Sequence, residues 1–121
     1  MEKMEELFKK GFKMIKHINS EDFEKEIKNI KGICLVDFYA KWCGPCMMLS
    51  PILEDIANSR AGYNIYKVDV DKNMNLANKL EIDTIPALCI YKDGKLVKKE
   101  IGYRKKEEII DLIEEYEEDK K

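Results

Sequence analysis

The chain has 121 residues, of which 38% are charged and 45% hydrophobic, and its formal net charge is −2. This length suits one domain with a real core and is too short for two ordinary domains. The small net charge gives no electrostatic basis for binding nucleic acid or an anionic membrane surface. No apolar run is long enough to cross a bilayer, and no signal-peptide stretch follows the acidic N-terminus. We therefore expect a cytosolic protein.

The first half of the chain predicts alternating helices and strands. Residues 1–12 carry apolar side chains at helical spacing, which predicts an amphipathic helix on the domain surface rather than a membrane anchor. Residues 13–18 predict a short strand, and Ser20 is expected to cap the helix that follows. Residues 33–40 are apolar on both faces except for Asp37, which is the pattern of a central strand covered on both sides.

The second half predicts a longer helix, a crossover and a hairpin. A helix is expected over residues 45–59, kinked by Pro51. Its apolar stripe is Met48, Leu49, Ile52, Leu53 and Ile56. The later elements are a strand over 63–70, a short helix or irregular crossover over 73–80, strands over 87–91 and 96–101 around an Asp93-Gly94 turn, and a closing helix over 104–118. This order predicts an α/β fold in which a mixed sheet lies between two helix layers.

The segment Cys43-Gly44-Pro45-Cys46 is the feature most directly linked to chemistry. Two thiols at this spacing can close a small disulfide ring and reopen it. Gly44 allows a tight turn, and Pro45 has a backbone angle suited to the first turn of a helix. Cys43 is therefore expected at a helix N-terminus, where free amides and the helix dipole favour a thiolate over a thiol.

The positions of the other cysteines and of the single histidine favour redox chemistry over metal binding for Cys43 and Cys46. Cys34 and Cys89 lie inside apolar runs, and we interpret them as small buried hydrophobic side chains. A structural zinc site needs about four ligands. Only His17, Cys34 and Cys89 could add nitrogen or sulfur ligands to the Cys43/Cys46 pair, and none of them has ligand-pair spacing. His17 is interpreted as a structural or surface residue.

Asp37 is the single charge in the apolar strand that leads to this segment. Burial of a carboxylate is costly and raises its pKa. Asp37 is therefore a candidate proton acceptor for Cys46, either directly or through a water molecule. The alternative is a solvated carboxylate at the end of the strand.

These motifs together resemble those of the thioredoxin family. The matching segments are 36–46, with Trp42 before the first cysteine, Pro51, 67–71, Thr84-Ile85-Pro86, Asp93-Gly94 and Gly102. The likeness covers about residues 17–117 in unbroken order. It implies a thioredoxin fold for residues 17–121, preceded by an N-terminal extension of residues 1–16.

The resemblance implies a role for each matching residue. Cys43 is the nucleophile that attacks a disulfide of another protein, and Cys46 is the resolving thiol. The resemblance favours Asp37 as the proton acceptor, with Lys67 beside it tuning its proton affinity. For Lys67, an ordinary exposed lysine is the alternative. The substrate-binding residues are Trp42, Gly44, Pro45, Ile85, Pro86 and Gly102, with a cis Ile85-Pro86 peptide beside the dithiol.

The implied function is that of a thiol-disulfide oxidoreductase which reduces protein disulfides and is recycled by a thioredoxin reductase. No bound cofactor is required, and a monomer without nucleic-acid or membrane partners is expected. Two alternatives remain open: a binding module that uses the same surface, and an oxidase or isomerase that uses the same dithiol. Tyr39 and Met47 depart from the family pattern, since many members have tryptophan and a cation there, respectively.

Overall fold

The computed structural model describes residues 15–59 and 63–118. The helix expected over residues 1–12 lies outside these residues, and the boundary between an extension of residues 1–16 and a domain of residues 17–121 stays a prediction. The elements in chain order are β1 (Lys16–His17), α1 (Ser20–Ile27), β2 (Ile33–Tyr39), α2 (Gly44–Ser59), β3 (Asn64–Asp69), α3 (Met74–Lys79), β4 (Ala87–Lys92), β5 (Lys95–Ile101) and α4 (Lys106–Glu118).

The strands form one mixed sheet in the order β1-β3-β2-β4-β5. Strands β1, β3 and β2 are parallel, whereas β4 and β5 pair in antiparallel fashion. The central strand β2 places Asp37 beside Lys67 of β3 and Leu88 of β4. The predicted mixed sheet is therefore confirmed, and its register brings the two charged residues of the candidate site together.

Helices cover both faces of this sheet, as predicted. Helices α1 and α3 pack over one face, to which β2 contributes Cys34, Val36 and Phe38. Helices α2 and α4 pack over the other face, to which β2 contributes Ile33 and Leu35. Successive side chains of a strand alternate between faces, so Asp37 points to the α2 side. Among the described helices, none is long and apolar enough to span a bilayer.

The prediction that Cys34 and Cys89 are buried is confirmed. Cys34 and Cys89 have exposures of 1% and 0%. Burial raises the pKa of each thiol to about 12. Both thiols therefore stay protonated at neutral pH and are shielded from other proteins.

The expected cap of α1 was wrong by one residue. Asn19 is the N-cap, and its side chain accepts a hydrogen bond of 3.0 Å from the amide of Asp22. Ser20 begins the helix instead, and both its amide and its hydroxyl donate to Oδ1 of Asn73, at 2.8 and 3.0 Å. Asparagine and serine are comparable N-caps, so residue type alone does not choose between neighbours.

Helices α2 and α4 show smaller departures from the predicted elements. Helix α2 begins at Gly44 and continues through Pro51 to Ser59, whereas α4 begins at Lys106. Met48, placed in the apolar stripe of α2 by its spacing, is 59% exposed. The apolar stripe by which α2 packs on the sheet therefore excludes Met48.

The predicted hairpin turn between β4 and β5 is confirmed. Asp93 and Gly94 have φ angles of 52° and 84°, so both residues lie in the left-handed region that two-residue hairpins use. The Asp93 carboxylate accepts a hydrogen bond of 2.8 Å from the amide of Gly32, and the Asp93 amide donates to the Gly32 carbonyl at 3.0 Å. The turn is thus fastened to the loop before β2.

Gly94→Ala is expected to lower the free energy of unfolding by roughly 2 kcal/mol or more, since a β-carbon there would collide with the Lys28 carbonyl. Gly32→Ala is the matched control, because Gly32 has a similar φ of 79° but no atom within 4 Å of the added carbon. Urea unfolding of both variants separates the collision from the backbone cost. Equal losses would show that the carbonyl contact contributes nothing.

Candidate active site

Cys43 and Cys46 are joined by a disulfide, with their Cα atoms 5.2 Å apart. Cys43 directly precedes α2, and the amide of Cys46 donates a hydrogen bond of 3.3 Å to the Cys43 sulfur. The Cys43 carbonyl accepts from the amide of Met47 at 3.1 Å, which fixes the first turn. Cys43 retains 6% exposure and Cys46 has 0%, so the first cysteine is the more accessible of the two.

Trp42 and the loop before β4 lie around this disulfide. Trp42 is 72% exposed, and its indole nitrogen donates a hydrogen bond of 2.8 Å to Oδ2 of Asp71. Trp42 is therefore a surface side chain. Ile85 packs against the dithiol, and the Ile85-Pro86 peptide is cis, as the resemblance implied. Gly102 donates its amide to the Pro86 carbonyl at 2.8 Å, which connects the end of β5 to the same loop.

Asp37, on the strand that leads to this turn, is completely buried. Neither of its carboxylate oxygens accepts a hydrogen bond from a described residue. The Lys67 ammonium lies 3.7 Å from Oδ2, which is close enough for an ion pair and too far for a hydrogen bond. Burial raises the pKa of Asp37 from 3.8 to about 6, while the Lys67 charge opposes this rise. The solvated carboxylate and the exposed lysine are therefore both excluded.

Three of the described residues interact with the Lys67 ammonium. Its Nζ donates a hydrogen bond of 2.9 Å to the hydroxyl of Ser50 on α2. The same nitrogen lies 4.5 Å from the centroid of the Tyr39 ring, within the range of a cation–π contact. The third partner is Asp37. The hydrogen bond from this ammonium goes to a neutral hydroxyl rather than to the carboxylate.

Other candidate ligands do not gather around the dithiol. His17 is exposed, with Nδ1 3.4 Å from the Tyr39 hydroxyl. Among residues 15–59 and 63–118, no group of three or more His, Cys, Asp or Glu side chains is placed to hold a metal ion. The site thus consists of a disulfide at the start of a helix and a buried carboxylate on the strand that precedes it.

The Thioredoxin family model matches residues 14–115. The chain belongs to the thioredoxin family. It is 42% identical over 100 residues to a thioredoxin of Staphylococcus saprophyticus, covering 82% of this chain and 94% of that protein. It is 43% identical over 104 residues to a thioredoxin of Listeria monocytogenes, covering 85% and 99%. The solved structure of a mutant thioredoxin from Halobacterium salinarum superposes with a TM-score of 0.79 at 33% identity, covering 86% of this chain and 91% of that one.

Family membership and the closed cysteine pair together make the protein a thiol-disulfide oxidoreductase that acts as a disulfide reductase. Thioredoxins work through their own redox-active disulfide and are generally reduced by a thioredoxin reductase. The structure brings Cys43, Cys46 and Ile85 together in one cluster. It also pairs Asp37 of β2 with Lys67 of β3.

Two neighbours of these residues were not predicted from the sequence. Asp71 fixes the Trp42 ring, and Ser50 binds the Lys67 ammonium. A signal for Ser50 was present, since it follows Cys46 by four residues and so lies on the same face of α2. A hydroxyl on the inward face of a helix needs a hydrogen-bond partner, and Lys67 supplies it.

Proposed function

We propose that Cys43 is the nucleophile and Cys46 the resolving thiol of the disulfide exchange. In the reduced protein, the Cys43 thiolate attacks one sulfur of a client disulfide, and a Cys43–client bond forms as the client bond breaks. The Cys46 thiolate then attacks the Cys43 sulfur, which restores the Cys43–Cys46 disulfide and releases the second client sulfur. Both client sulfurs leave as thiolates and take up protons, so the client gains two electrons and the protein loses two.

The position of the disulfide is the observation that carries this assignment of roles. Cys43 precedes α2, and its sulfur accepts a hydrogen bond from the Cys46 amide. Amide donors at the start of a helix stabilise a thiolate. Cys46 is fully buried, so it is shielded from external disulfides but stays within reach of Cys43. Ring closure is intramolecular and therefore outcompetes an external thiol.

Asp37 is the proposed proton acceptor for Cys46, and Lys67 tunes its proton affinity. The Cys46 thiol gives its proton to the Asp37 carboxylate as the thiolate attacks, and Asp37 later returns the proton to solvent. A base is most effective when its pKa is close to the working pH, and burial moves the pKa of Asp37 in that direction.

The exposed surface around Cys43 is the proposed docking site for client proteins. Trp42, Gly44 and Pro45 form one side of it, and Gly102 lies beside Pro86 on the other. Ile85 lies on the loop that packs on the dithiol, where its backbone can pair with an extended client segment as an added strand does. The exposed side chains of Met47 and Met48 extend this surface with flexible apolar groups.

The electron supply and location are further parts of the proposal. A thioredoxin reductase regenerates the dithiol, proteins with accessible disulfides are the clients, and no additional cofactor takes part. The protein acts as a monomer in the cytoplasm, without nucleic-acid or membrane partners. The two buried free thiols, Cys34 and Cys89, suit such a reducing compartment.

Reduction of insulin disulfides with dithiothreitol as electron donor tests this function, with precipitation of the insulin chains as the signal. We expect catalytic turnover; a protein that binds insulin without accelerating precipitation would be a binding module. Equilibration with glutathione tests the direction of the reaction. A protein found mainly as disulfide in a glutathione buffer has a low reduction potential and is a reductant, whereas one found mainly as dithiol there is an oxidase or isomerase.

Cys46→Ser is expected to convert transient mixed disulfides into stable ones, because the residue that releases the client has lost its thiol. A disulfide-containing client should remain attached to Cys43 and run as a higher-mass band on non-reducing gels. Dithiothreitol should remove this band. The double variant Cys43→Ser/Cys46→Ser is the control, and a band that persists in it would assign attachment to another cysteine.

A further inference from the structure

The hydrogen bond between Ser50 and Lys67 affects how the Lys67 ammonium interacts with Asp37. The inference drawn from it rests on the proposed role of Asp37 as proton acceptor. Lys67 and Asp37 are neighbours in register across β3 and β2, and both are buried. A buried lysine beside a buried carboxylate normally donates a short hydrogen bond to it. Here the ammonium stays 3.7 Å from Oδ2 and donates instead to Ser50 at 2.9 Å.

We propose that Ser50 is a positioning residue that holds the Lys67 ammonium back from Asp37, so that the carboxylate receives no hydrogen bond from Lys67 and can accept the proton of Cys46. The ammonium remains near enough to lower the cost of a buried negative charge. A direct hydrogen bond would stabilise the carboxylate further and make it a weaker base.

The surroundings of Lys67 explain why a restraint is needed. The face of the Tyr39 ring contacts the ammonium on one side. Lys67 also lines a cavity of about 430 Å³, whose wall includes His17, Lys41 and Lys72. Without the hydroxyl, the ammonium can move inward to Asp37 or outward into this cavity. The cavity wall also carries Asp69, which partly balances its two lysines. The charge of Asp37, only 3.7 Å from the ammonium, favours the inward move.

Among the residues that the structure describes, few ionisable groups other than Lys67 face Asp37. On its own strand, Tyr39 has a pKa raised by burial and by the charges of Asp69 and Asp37. On β4, the register partner Leu88 is apolar, and Cys89 points to the opposite face of the sheet. Helix α4 contributes the apolar Ile109 and Ile113, and α2 contributes Ser50 and the Cys43–Cys46 disulfide. Lys67 is therefore the principal cation through which Ser50 can act.

The test is the titration of the Asp37 side-chain carboxyl carbon by NMR in the oxidised protein, where Cys43 and Cys46 do not titrate. In Ser50→Ala, the pH of half-protonation should fall by about one or more, as expected when an ion pair becomes a hydrogen bond. Ser50→Thr keeps the hydroxyl and should restore the wild-type value. An unchanged or higher value in Ser50→Ala would overturn the proposal, since the ammonium would then not have moved toward Asp37.

A double-mutant cycle shows whether the effect passes through Lys67. In a Lys67→Met background, adding Ser50→Ala should not change the pH at which Asp37 is half protonated. If Ser50→Ala lowers the value equally in both backgrounds, the hydroxyl acts on Asp37 without Lys67, and the proposal is wrong. Thermal unfolding of each variant verifies that it is folded over the titrated range.

Kinetics separate this inference from the role of Asp37. The rate of mixed-disulfide resolution is measured by stopped flow from pH 5 to 9, with Asp37→Asn as the reference. If Asp37→Asn leaves the rate and its pH profile unchanged, Asp37 is not the proton acceptor, whatever the NMR result. If Asp37→Asn slows resolution, Ser50→Ala should slow it roughly threefold and move its acid limb to lower pH, because a weaker base accepts the proton. A Ser50→Ala profile identical to wild type would then overturn the inference alone.

Discussion

Cys43→Ser is expected to lower the rate of insulin reduction roughly a thousandfold or more. The serine hydroxyl does not ionise near neutral pH and cannot form a disulfide with either a client or Cys46. The amide of Cys46 and the start of α2, which stabilise a thiolate at this position, then have no anion to act on. The turbidity assay with dithiothreitol measures the loss against the uncatalysed background.

Two matched controls use the remaining cysteines. Cys34→Ala and Cys89→Ala remove thiols that are buried on the α1 side of the sheet. Each leaves a small cavity and should cost stability of about 1 kcal/mol without changing the rate at temperatures where the protein is folded. Residual turnover of Cys43→Ser at more than a few per cent of the wild-type rate would show that another thiol reacts with clients.

The sheet, its helix layers and the dithiol could be predicted because each depends on local patterns. The apolar strand at 33–40, the Asp93-Gly94 turn and the Cys43/Cys46 spacing each leave a signal within a few residues of sequence. Residue types in short windows determine hairpin turns and helix starts to a large extent. The pairing of Asp37 with Lys67 was expected only through the family resemblance, since the two residues are far apart in sequence.

The departures arise where the three-dimensional packing decides between similar local choices. Asn19 rather than Ser20 caps α1 because Asn73, which is distant in sequence, accepts both donors of Ser20. Met48 is exposed because α2 packs on the sheet through Leu49, Leu53 and Ile56 and directs the neighbouring position to solvent. The link from Ser50 to Lys67 depends on how α2 crosses β3, which no spacing within α2 specifies.

Asp37→Asn is expected to raise the free energy of unfolding of the oxidised protein by about 3 kcal/mol above pH 7. Burial raises the pKa of Asp37 from 3.8 to about 6, so the folded protein holds this proton more tightly than the unfolded chain does. As the pH rises from about 4 to about 6, the unfolded chain releases the proton first, and the folded state is progressively disfavoured. Above this window, the cost of the buried charge is fully present.

The sign of the pH dependence distinguishes this effect from a change in packing. The difference in unfolding free energy between Asp37→Asn and wild type should be small near pH 4, grow up to about pH 6 and stay constant above it. Asparagine keeps the shape of the side chain, and Lys67 keeps its bond to Ser50 and its contact with Tyr39. Guanidinium unfolding at several pH values provides the measurement.

Asp83→Asn is the control for this titration, because it removes the same charge from an exposed position on the loop before Pro86. Its unfolding free energy should follow that of wild type across the whole range. If the difference in unfolding free energy between Asp37→Asn and wild type were equal at pH 4 and pH 8, burial would not raise the pKa of Asp37. The burial that suits Asp37 to its proposed role as proton acceptor therefore lowers the stability of the fold, and Lys67 offsets only part of that cost.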